Sequence, residues 1–239
     1  MTGKTALVTG AAGGIGAAIV AALRNAGATV CGTDLCASEA DHVITGDLTD
    51  TVFCDTLPGR CTEMMGRLDI LVNNAGVITR GKITDATDED FARSIAINVE
   101  APFRLCRAAI PIMAEAGGGA IVNVASCWGL HPGPSHPIYV MSKAAVASLT
   151  QCLGIDHAHQ KIRVNAVCPN EVNTPMIRTG FAARGLDPDR AIEELDASVP
   201  LGRIAEPEDI ADVVVFLASD RARYLCGALI EASGGKSVG

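Results

Sequence analysis

Short apolar runs alternate with helix-length segments along this chain, and that alternation constrains the fold more than any other feature. Strand, helix and strand repeated in this order is typical of a parallel sheet with right-handed crossover connections. The strand-like runs are Thr5–Val8, Thr29–Gly32, His42–Thr45, Ile70–Val72, Ala120–Val124, Arg163–Val167 and Leu229–Glu231. The helical patterns fall near 15–26, 50–65, 88–115, 137–160 and 207–219. We therefore predict an α/β fold, a doubly wound parallel sheet of about seven strands with helices on both faces.

The composition fits a single domain of this kind. Apolar residues make up 49% of the 239 residues and aromatic residues only 3%, so the core must be built from Ala, Val, Ile and Leu. Aliphatic strands covered on both faces by helices suit this supply of side chains. Because no composition shift, long linker or internal repeat marks a boundary, we predict one domain over residues 1–239.

Charge and cysteine content exclude several classes of function. The net charge of −8 argues against nucleic acid or an anionic membrane as the main partner. No apolar run approaches the roughly 18 residues of a spanning helix. The nine cysteines form no Cys-x-x-Cys pair and the histidines are not at ligand spacing with acids, so no metal site is predicted. Free thiols, and an N-terminus that runs straight into the first predicted strand without a signal peptide, indicate a cytoplasmic protein.

A glycine-rich turn follows the first predicted strand and opens the first predicted helix. Gly10, Gly14 and Gly16 allow a tight turn there and let the backbone approach a phosphate closely. Asp34 follows the second predicted strand, where a carboxylate can bond both hydroxyls of an adenosine ribose and repel a 2′-phosphate. The neighbouring Leu35 offers no basic side chain to hold such a phosphate. A turn that serves only packing is the alternative, but this context favours an NAD site.

A tyrosine and a lysine supply the proton chemistry. Tyr139 and Lys143 stand four residues apart in a predicted helix, so both side chains lie on one face. A phenol has an ordinary pKa of about 10 and is a poor base at neutral pH, but a neighbouring ammonium favours the phenolate. Ser126, at the end of the fifth predicted strand, can hold a substrate oxygen by a hydrogen bond. Proton transfer at a carbinol beside a dinucleotide indicates hydride-transfer chemistry.

Together these motifs resemble the short-chain dehydrogenase/reductase family over essentially the full chain. The matching residues are Thr9-Gly10-x3-Gly14-Ile15-Gly16, Asn73-Asn74-Ala75-Gly76, Asn98, Ser126, Tyr139-x3-Lys143 and Pro169-x4-Thr174-Pro175. No single motif is decisive, whereas six in the right order and spacing exclude chance agreement. The resemblance implies a Rossmann-type fold, a nicotinamide cofactor and a tyrosine general base, and Asp34 agrees with the NAD-preferring branch.

The resemblance also assigns roles to single residues. Asn98, Ser126, Tyr139 and Lys143 match the four catalytic positions; Lys143 would also bond the nicotinamide ribose, and Asn98 would support a water that links Lys143 to solvent. For Asn98 the alternative is a mid-helix asparagine that bonds its own backbone. The positions that match the cofactor site are Gly10, Gly14, Ile15, Gly16, Asp34, Asp47, Leu48, Asn74, Ala75, Gly76, Tyr139, Lys143, Pro169, Val172 and Thr174.

The chain departs from the family pattern near the expected substrate end. The family usually has Pro-Gly after the sixth strand, whereas this chain has Pro169-Asn170. The Asn170 amide either faces the substrate or satisfies a turn. Arg178 lies in a segment, 174–203, that breaks the alternation and is expected to act as a lid; the arginine either closes over an anionic substrate or is solvated. The predicted substrate contacts are Ser126, Trp128, His136, Asn170 and Arg178.

The expected function is NAD-dependent interconversion of a small polar secondary alcohol, such as a polyol, sugar or hydroxy acid, and its ketone. One alternative is 3-oxoacyl-(acyl-carrier-protein) reductase, an activity of this family that normally draws on NADPH and a basic docking patch; Asp34 and the acidic net charge count against it. A second alternative, a non-catalytic NAD-binding protein, would not need Ser126, Tyr139 and Lys143. Members of the family usually form tetramers, so a homotetramer is expected.

Overall fold

The computed structural model describes residues 1–236 and confirms the doubly wound, Rossmann-type α/β architecture. One parallel sheet has seven strands in the order β3-β2-β1-β4-β5-β6-β7. The strands are β1 Thr5–Thr9, β2 Thr29–Thr33, β3 His42–Val43, β4 Ile70–Asn73, β5 Gly119–Val124, β6 Ile162–Pro169 and β7 Leu229–Ala232. The helices are α1 Gly14–Asn25, α2 Thr51–Met65, α3 Asp88–Ile95, α4 Ala101–Glu115, α5 Pro137–His157, α6 Pro175–Ala182, α7 Pro188–Ser198 and α8 Pro207–Ala218.

Alternate side chains of the central strand β1 enter two separate cores. Ala6 and Val8 pack into a cluster with side chains of α1 and α8, whereas Leu7 packs into a cluster with side chains of α2 and α4. All three are fully buried. Successive side chains of a strand point to opposite faces of the sheet, so an aliphatic strand contributes to both helix layers at once.

The helix predicted over 88–115 is interrupted. A π-helical turn, Ala96–Glu100, separates α3 from α4, and the Ala101 amide donates to a carbonyl five residues earlier. Pro102 follows this turn and lacks the N–H that a regular α-helix would use there. The other predicted helices and all predicted strands are present with shifted ends, and β3 is only two residues long. The wide turn carries Asn98, so the interruption falls at a predicted site residue.

The strand order reverses between β1 and β4, and this reversal positions the site. Ligands of open α/β sheets bind outside the carboxyl ends of the strands at such a point. The glycine-rich turn follows β1, which ends at Thr9, and the turn containing Asn74 follows β4. The fold therefore brings the predicted cofactor residues to one crevice.

The expected lid segment, 174–203, forms two short helices rather than an irregular loop. Pro175 and Pro188 open α6 and α7, where the fixed φ of proline suits the first turn. The helices pack on each other through a small apolar cluster that includes Phe181 and Ile192. Side chains of both helices line the cavity described below. The segment thus covers the crevice, and its opening and closing stays a prediction.

Helix α5 corrects one expectation from the sequence. Pro137–Gln160, which is α5 with the turn after it, is long and apolar enough to cross a membrane by length and composition alone, and an 18-residue window within it has a mean hydropathy of 1.3. In the fold this helix packs on β6, and it buries Ile138 and Val146 inside the protein. It also carries Tyr139 and Lys143, so its apolar character belongs to the core around the site.

Candidate active site

Three glycines of the glycine-rich turn, Gly10, Gly14 and Gly16, lie where a side chain would be crowded by neighbouring atoms. Gly10 has φ +65°, and a Cβ on it would lie 2.9 Å from the Cα of Ala75. A Cβ on Gly16 would collide with the Gly10 carbonyl oxygen, and one on Gly14 would lie 3.0 Å from the Thr174 side chain. The first amides of α1 consequently stay uncovered at the positive end of the helix, as a pyrophosphate requires.

Asp34 lies directly beside this turn. Its Oδ2 accepts a hydrogen bond from the Ala12 amide at 3.0 Å, and its Oδ1 accepts one from the Leu35 amide at 2.7 Å. Each carboxylate oxygen keeps a further lone pair for a ribose hydroxyl. Asp47 lies in the connection between β3 and α2, where it is exposed and its side chain accepts a hydrogen bond from the Thr49 amide. The partly buried Leu48 packs against the core.

Asn74 ties the ends of β1 and β4 together. Its side-chain amide donates to the carbonyl oxygens of Thr9 and Gly10 at 2.9 and 3.2 Å. The backbone amides of Asn74 and Ala75 both donate to the Thr9 hydroxyl at 3.0 Å. These bonds fix the glycine turn against the neighbouring strand, which is the sheet-stabilising role that the resemblance implies.

Lys143 is a buried cation at the floor of the site. Only 5% of its surface is exposed, and its Nζ donates to the Val124 carbonyl at 2.8 Å. Burial lowers its pKa from the ordinary 10.5 to about 8. Nζ lies 5.9 Å from the centroid of the Tyr139 ring. The ammonium is therefore fixed by its hydrogen bond to Val124, and it keeps further N–H donors for another acceptor.

Tyr139 departs from the sequence expectation in its electrostatics. Burial raises the pKa of the phenol, and the hydrogen bond with Ser126 and then the charge of Arg80 oppose that rise. We expected Lys143 to supply the opposing charge, but in this structure its ammonium is turned to the Val124 carbonyl. The phenol is consequently neutral at pH 7, the form that donates a proton to a carbonyl oxygen.

Asn98 bonds neighbouring segments rather than its own helix. Its side-chain amide donates to the Val77 carbonyl and to the Ser142 hydroxyl, both at 2.9 Å, and its Oδ1 accepts from the Val77 amide at 2.8 Å. The alternative of a self-bonded mid-helix asparagine does not describe this geometry. A Cβ on Gly76 would lie 3.3 Å from Lys143 Nζ and 3.4 Å from Asn98 Oδ1, so the glycine keeps open a gap between these two groups.

A cavity of about 380 Å³ brings most of the predicted residues together. The predicted residues on its wall are Ile15, Asn74, Gly76, Ser126, Trp128, His136, Tyr139, Lys143, Pro169, Asn170, Val172 and Thr174. Asn98 lies beneath the wall, and the residues toward the adenine end lie outside it. His136 packs edge-on against Trp128, with ring centroids 4.7 Å apart. The side chains that the sequence did not place in the site are Val77, Ile78, Arg80, Val124, Ala125, Met176, Ile177, Phe181, Arg184 and Leu195.

Arg178 is not on the cavity wall. Its Nη1 pairs with Asp189 at 2.7 Å and its Nε donates to the Asn173 side chain, so α7 and the preceding loop hold it outside. Arg80 and Arg184 line the cavity instead. One feature of the sequence points to Arg80 as a site residue. It lies in the connection after β4, at the carboxyl edge of the sheet where the glycine turn and Ser126 also lie.

The residues present fit a dinucleotide cofactor. The crowded glycine turn and Asp34 suit a pyrophosphate and a ribose. At the other end, the side-chain oxygen and nitrogen of Asn170 are both buried without a hydrogen-bond partner in the described chain. An orphaned amide at the cavity wall matches the donor and acceptor of a carboxamide or a substrate. The sequence left two alternatives for the Asn170 side chain. No hydrogen bond in the described chain supports the alternative in which it satisfies a turn.

Comparison with known proteins agrees with this geometry. A family model described as enoyl-(acyl carrier protein) reductase matches residues 10–237. Trans-4-hydroxycyclohexanecarboxylate dehydrogenase of Sinomonas cyclohexanicum is 35% identical over 99% of this chain and 93% of that protein. 3-Oxoacyl-(acyl-carrier-protein) reductase of Thermotoga maritima is 33% identical over 98% of each. The solved structure of ligand-free aldohexose dehydrogenase of Thermoplasma acidophilum superposes with a TM-score of 0.93 at 31% identity, covering 99% of this chain and 94% of that one.

Proposed function

The chain belongs to the short-chain dehydrogenase/reductase family of oxidoreductases, and we propose that it interconverts a small secondary alcohol and its ketone with NAD as cofactor. The observation that carries the proposal is one cavity wall that holds Ser126, Tyr139 and Lys143 beside the crevice of the glycine turn. The nicotinamide cofactor that the family implies would accept the hydride. In its oxidised form the nicotinamide ring would also carry a positive charge. Oxidation of an alcohol that carries deuterium at the carbinol carbon tests the reaction, because the deuterium should appear on the reduced cofactor.

In this mechanism Tyr139 moves the proton. During oxidation the phenolate oxygen takes the proton of the substrate hydroxyl, and during reduction the phenol returns it to the carbonyl oxygen. Ser126 donates a hydrogen bond to the same substrate oxygen and so orients the carbinol carbon. General acid–base catalysis raises a reaction rate by about 10²–10⁴-fold. Tyr139 and Ser126 therefore account for much of the rate enhancement that the protein side chains supply.

Lys143 and Asn98 support the proton transfer. Lys143 holds a positive charge close to the phenol and offers its free N–H bonds to the nicotinamide ribose. Asn98 anchors the backbone of Val77 and the Ser142 hydroxyl, and this anchoring fixes the loop after β4 beside Lys143. The gap that Gly76 leaves between Lys143 and Asn98 is the route by which we propose that protons reach solvent.

The choice of NAD over NADP follows from Asp34. Its charge beside the glycine turn repels a 2′-phosphate, so we expect kcat/KM to be at least about tenfold higher with NAD, equivalent to about 1.4 kcal/mol. Asp34→Asn keeps an acceptor for the Ala12 amide and removes the charge, and should shrink this ratio. Glu39→Gln is the matched control, because Glu39 is an exposed acid in the same connection. Equal efficiency with both cofactors in the native protein contradicts the assignment.

The main rival activity is 3-oxoacyl-(acyl-carrier-protein) reductase, which a relative of this chain carries by name. Against it stand Asp34 and the net charge of −8, since an acidic carrier protein is repelled by an acidic surface. A comparison of acetoacetyl thioester reduction by NADPH with alcohol oxidation by NAD separates the two. Faster thioester reduction favours the rival.

We also propose a cytoplasmic homotetramer. Apolar side chains remain exposed on the two long helices expected to pair, among them Phe103 on α4 and Met141 on α5. Burial of these side chains against a second copy would remove apolar surface from water. Light scattering at micromolar concentration should give the mass of four chains, and a monomer refutes the assembly.

The nine cysteines are all free in the structure, as a reducing compartment allows.

A further inference from the structure

We propose that Arg80 and Arg184 form an anion-binding subsite at the α6 end of the cavity, and that the substrate is a secondary alcohol carrying a carboxylate. This inference rests on the proposed function for the alcohol and on the two arginines for the carboxylate. Both arginines are exposed, and both line the same cavity as Ser126 and Tyr139. The substrate would thus be held at its hydroxyl by the catalytic pair and at its carboxylate by the arginines.

Neither arginine has an acidic partner among residues 1–236. Other arginines of the described chain form ion pairs with carboxylates. They are Arg24, Arg67, Arg104, Arg107, Arg178, Arg190 and Arg203. Within residues 1–236, Arg80 makes no side-chain hydrogen bond and Arg184 donates only to the Gly180 carbonyl, at 3.1 Å. The acid on the cavity wall, Glu171, is bound by Lys236 at 2.9 Å. Two free cations therefore face the cavity.

The position of Arg80 depends on a glycine in α6. Its guanidinium packs against Gly180, where a Cβ would lie 2.5 Å from Nη2 and 2.7 Å from Cζ. Glycine inside a helix is destabilising relative to alanine, so α6 is less stable at the point where the guanidinium lies. Gly180 is itself buried. The helix backbone and the guanidinium thus fit each other closely.

Arg184 lies on the other side of the same glycine. Its Cζ stacks 4.9 Å from the centroid of the Phe181 ring, and its bond to the Gly180 carbonyl fixes the Nε edge. Burial and then the charge of Arg184 lower the pKa of Arg80. The two positive charges near Gly180 repel each other, and an anion bonded by both arginines would offset this repulsion. The planar guanidinium fork matches a carboxylate in geometry as well as charge.

The remaining wall suits an apolar body between the two polar ends. Ile78, Met176, Ile177, Phe181 and Leu195 line the cavity beside the arginines. Arg80 is also close enough to Tyr139 for its charge to lower the phenol pKa. A compact hydroxy acid with few hydroxyl groups therefore fits better than a polyol, which would leave its hydroxyls against aliphatic side chains.

Matched substrates and variants test the subsite. The probes are trans-4-hydroxycyclohexanecarboxylate and 3-hydroxybutyrate, each beside its neutral carboxamide. We expect the native enzyme to prefer a carboxylate over its amide by about tenfold or more, and Arg80→Met or Arg184→Met to remove most of that preference, because hydrogen bonds to charged groups are the strong ones. The loss should appear mainly in KM for the carboxylate. Arg178→Met is the control and should leave the preference unchanged.

A third variant keeps both charges. Gly180→Ala restores a good helix former and pushes the Arg80 guanidinium aside, so it should lower carboxylate preference without loss of folding. Binding of cyclohexanecarboxylate, which has no hydroxyl to oxidise, is measured by calorimetry with NADH present. Native binding that both methionine variants abolish supports the subsite even if no alcohol is oxidised, in which case the proposed function alone fails. Equal use of carboxylates and amides, or unchanged binding in both methionine variants, overturns the subsite and leaves the dehydrogenase function standing.

Discussion

Tyr139→Phe should lower kcat for alcohol oxidation by about a thousandfold, the middle of the range for loss of a general base. The ring stays and only the proton acceptor is removed, so the dissociation constant of the cofactor should change by no more than about twofold. In the native enzyme kcat for oxidation should rise with pH, because the phenolate is the form that accepts a proton and burial raises the pKa of Tyr139. Stopped-flow turnover and cofactor titration measure the two quantities separately.

The second tyrosine provides the control for this variant. Tyr224 is 99% exposed, and Tyr224→Phe should leave turnover and the pH profile unchanged. Normal turnover by the Tyr139 variant would rule out the proton-transfer mechanism. A loss of cofactor binding equal to the loss of kcat would show instead that the ring hydroxyl serves binding.

Lys143→Met should reduce both catalysis and cofactor affinity. The substitution removes a buried positive charge and its donors, and a hydrogen bond from a charged group contributes about 1.5–3 kcal/mol, which corresponds to roughly 10–150-fold in affinity. Methionine fills a similar volume, so the fold should persist. Lys82→Met, at an exposed lysine off the cavity wall, is the control. Unchanged cofactor affinity in the Lys143 variant contradicts the role assigned to its ammonium.

The same variant should change how stability depends on pH. The folded pKa of Lys143 is about 8, against an ordinary 10.5, so between these values the unfolded chain binds more protons than the folded one. The contribution of Lys143 to stability therefore rises with pH across this window, by up to about 3 kcal/mol. Cysteines whose pKa burial raises, such as Cys54 at about 11, act in the opposite direction. The difference in unfolding free energy between native protein and variant isolates the lysine, and a difference that stays constant from pH 8 to 10.5 contradicts its lowered pKa.

The fold and the centre of the site were predictable because local patterns determine them. β1 is aliphatic on both faces, the glycine turn admits no Cβ, and the four-residue spacing from Tyr139 to Lys143 lies on one helix. Each of these depends on residues close together in the sequence. In a parallel sheet all strands end at the same edge, so the predicted parallel arrangement was sufficient to bring the turn and the helix together.

The substrate end was less predictable because long-range contacts decide it. The position of Arg80 in the sequence could not decide between it and Arg178, because the choice depends on Asp189 on the next helix and on the space at Gly180. The interruption of the helix over 88–115 likewise depends on Asn98 bonding Val77 and Ser142. The predicted substrate contacts also overstated the polarity of the cavity, whose walls from α6 and α7 are apolar.

Transfer of deuterium tests the central claim most directly. A secondary hydroxy acid labelled with deuterium at the carbinol carbon is oxidised in the presence of NAD, and the products are analysed by mass spectrometry. The proposed reaction predicts one ketone for each NADH, with the deuterium on the nicotinamide ring, and almost none of either product from Tyr139→Phe. Deuterium released to water, or ketone formed without reduced cofactor, contradicts direct hydride transfer by this enzyme.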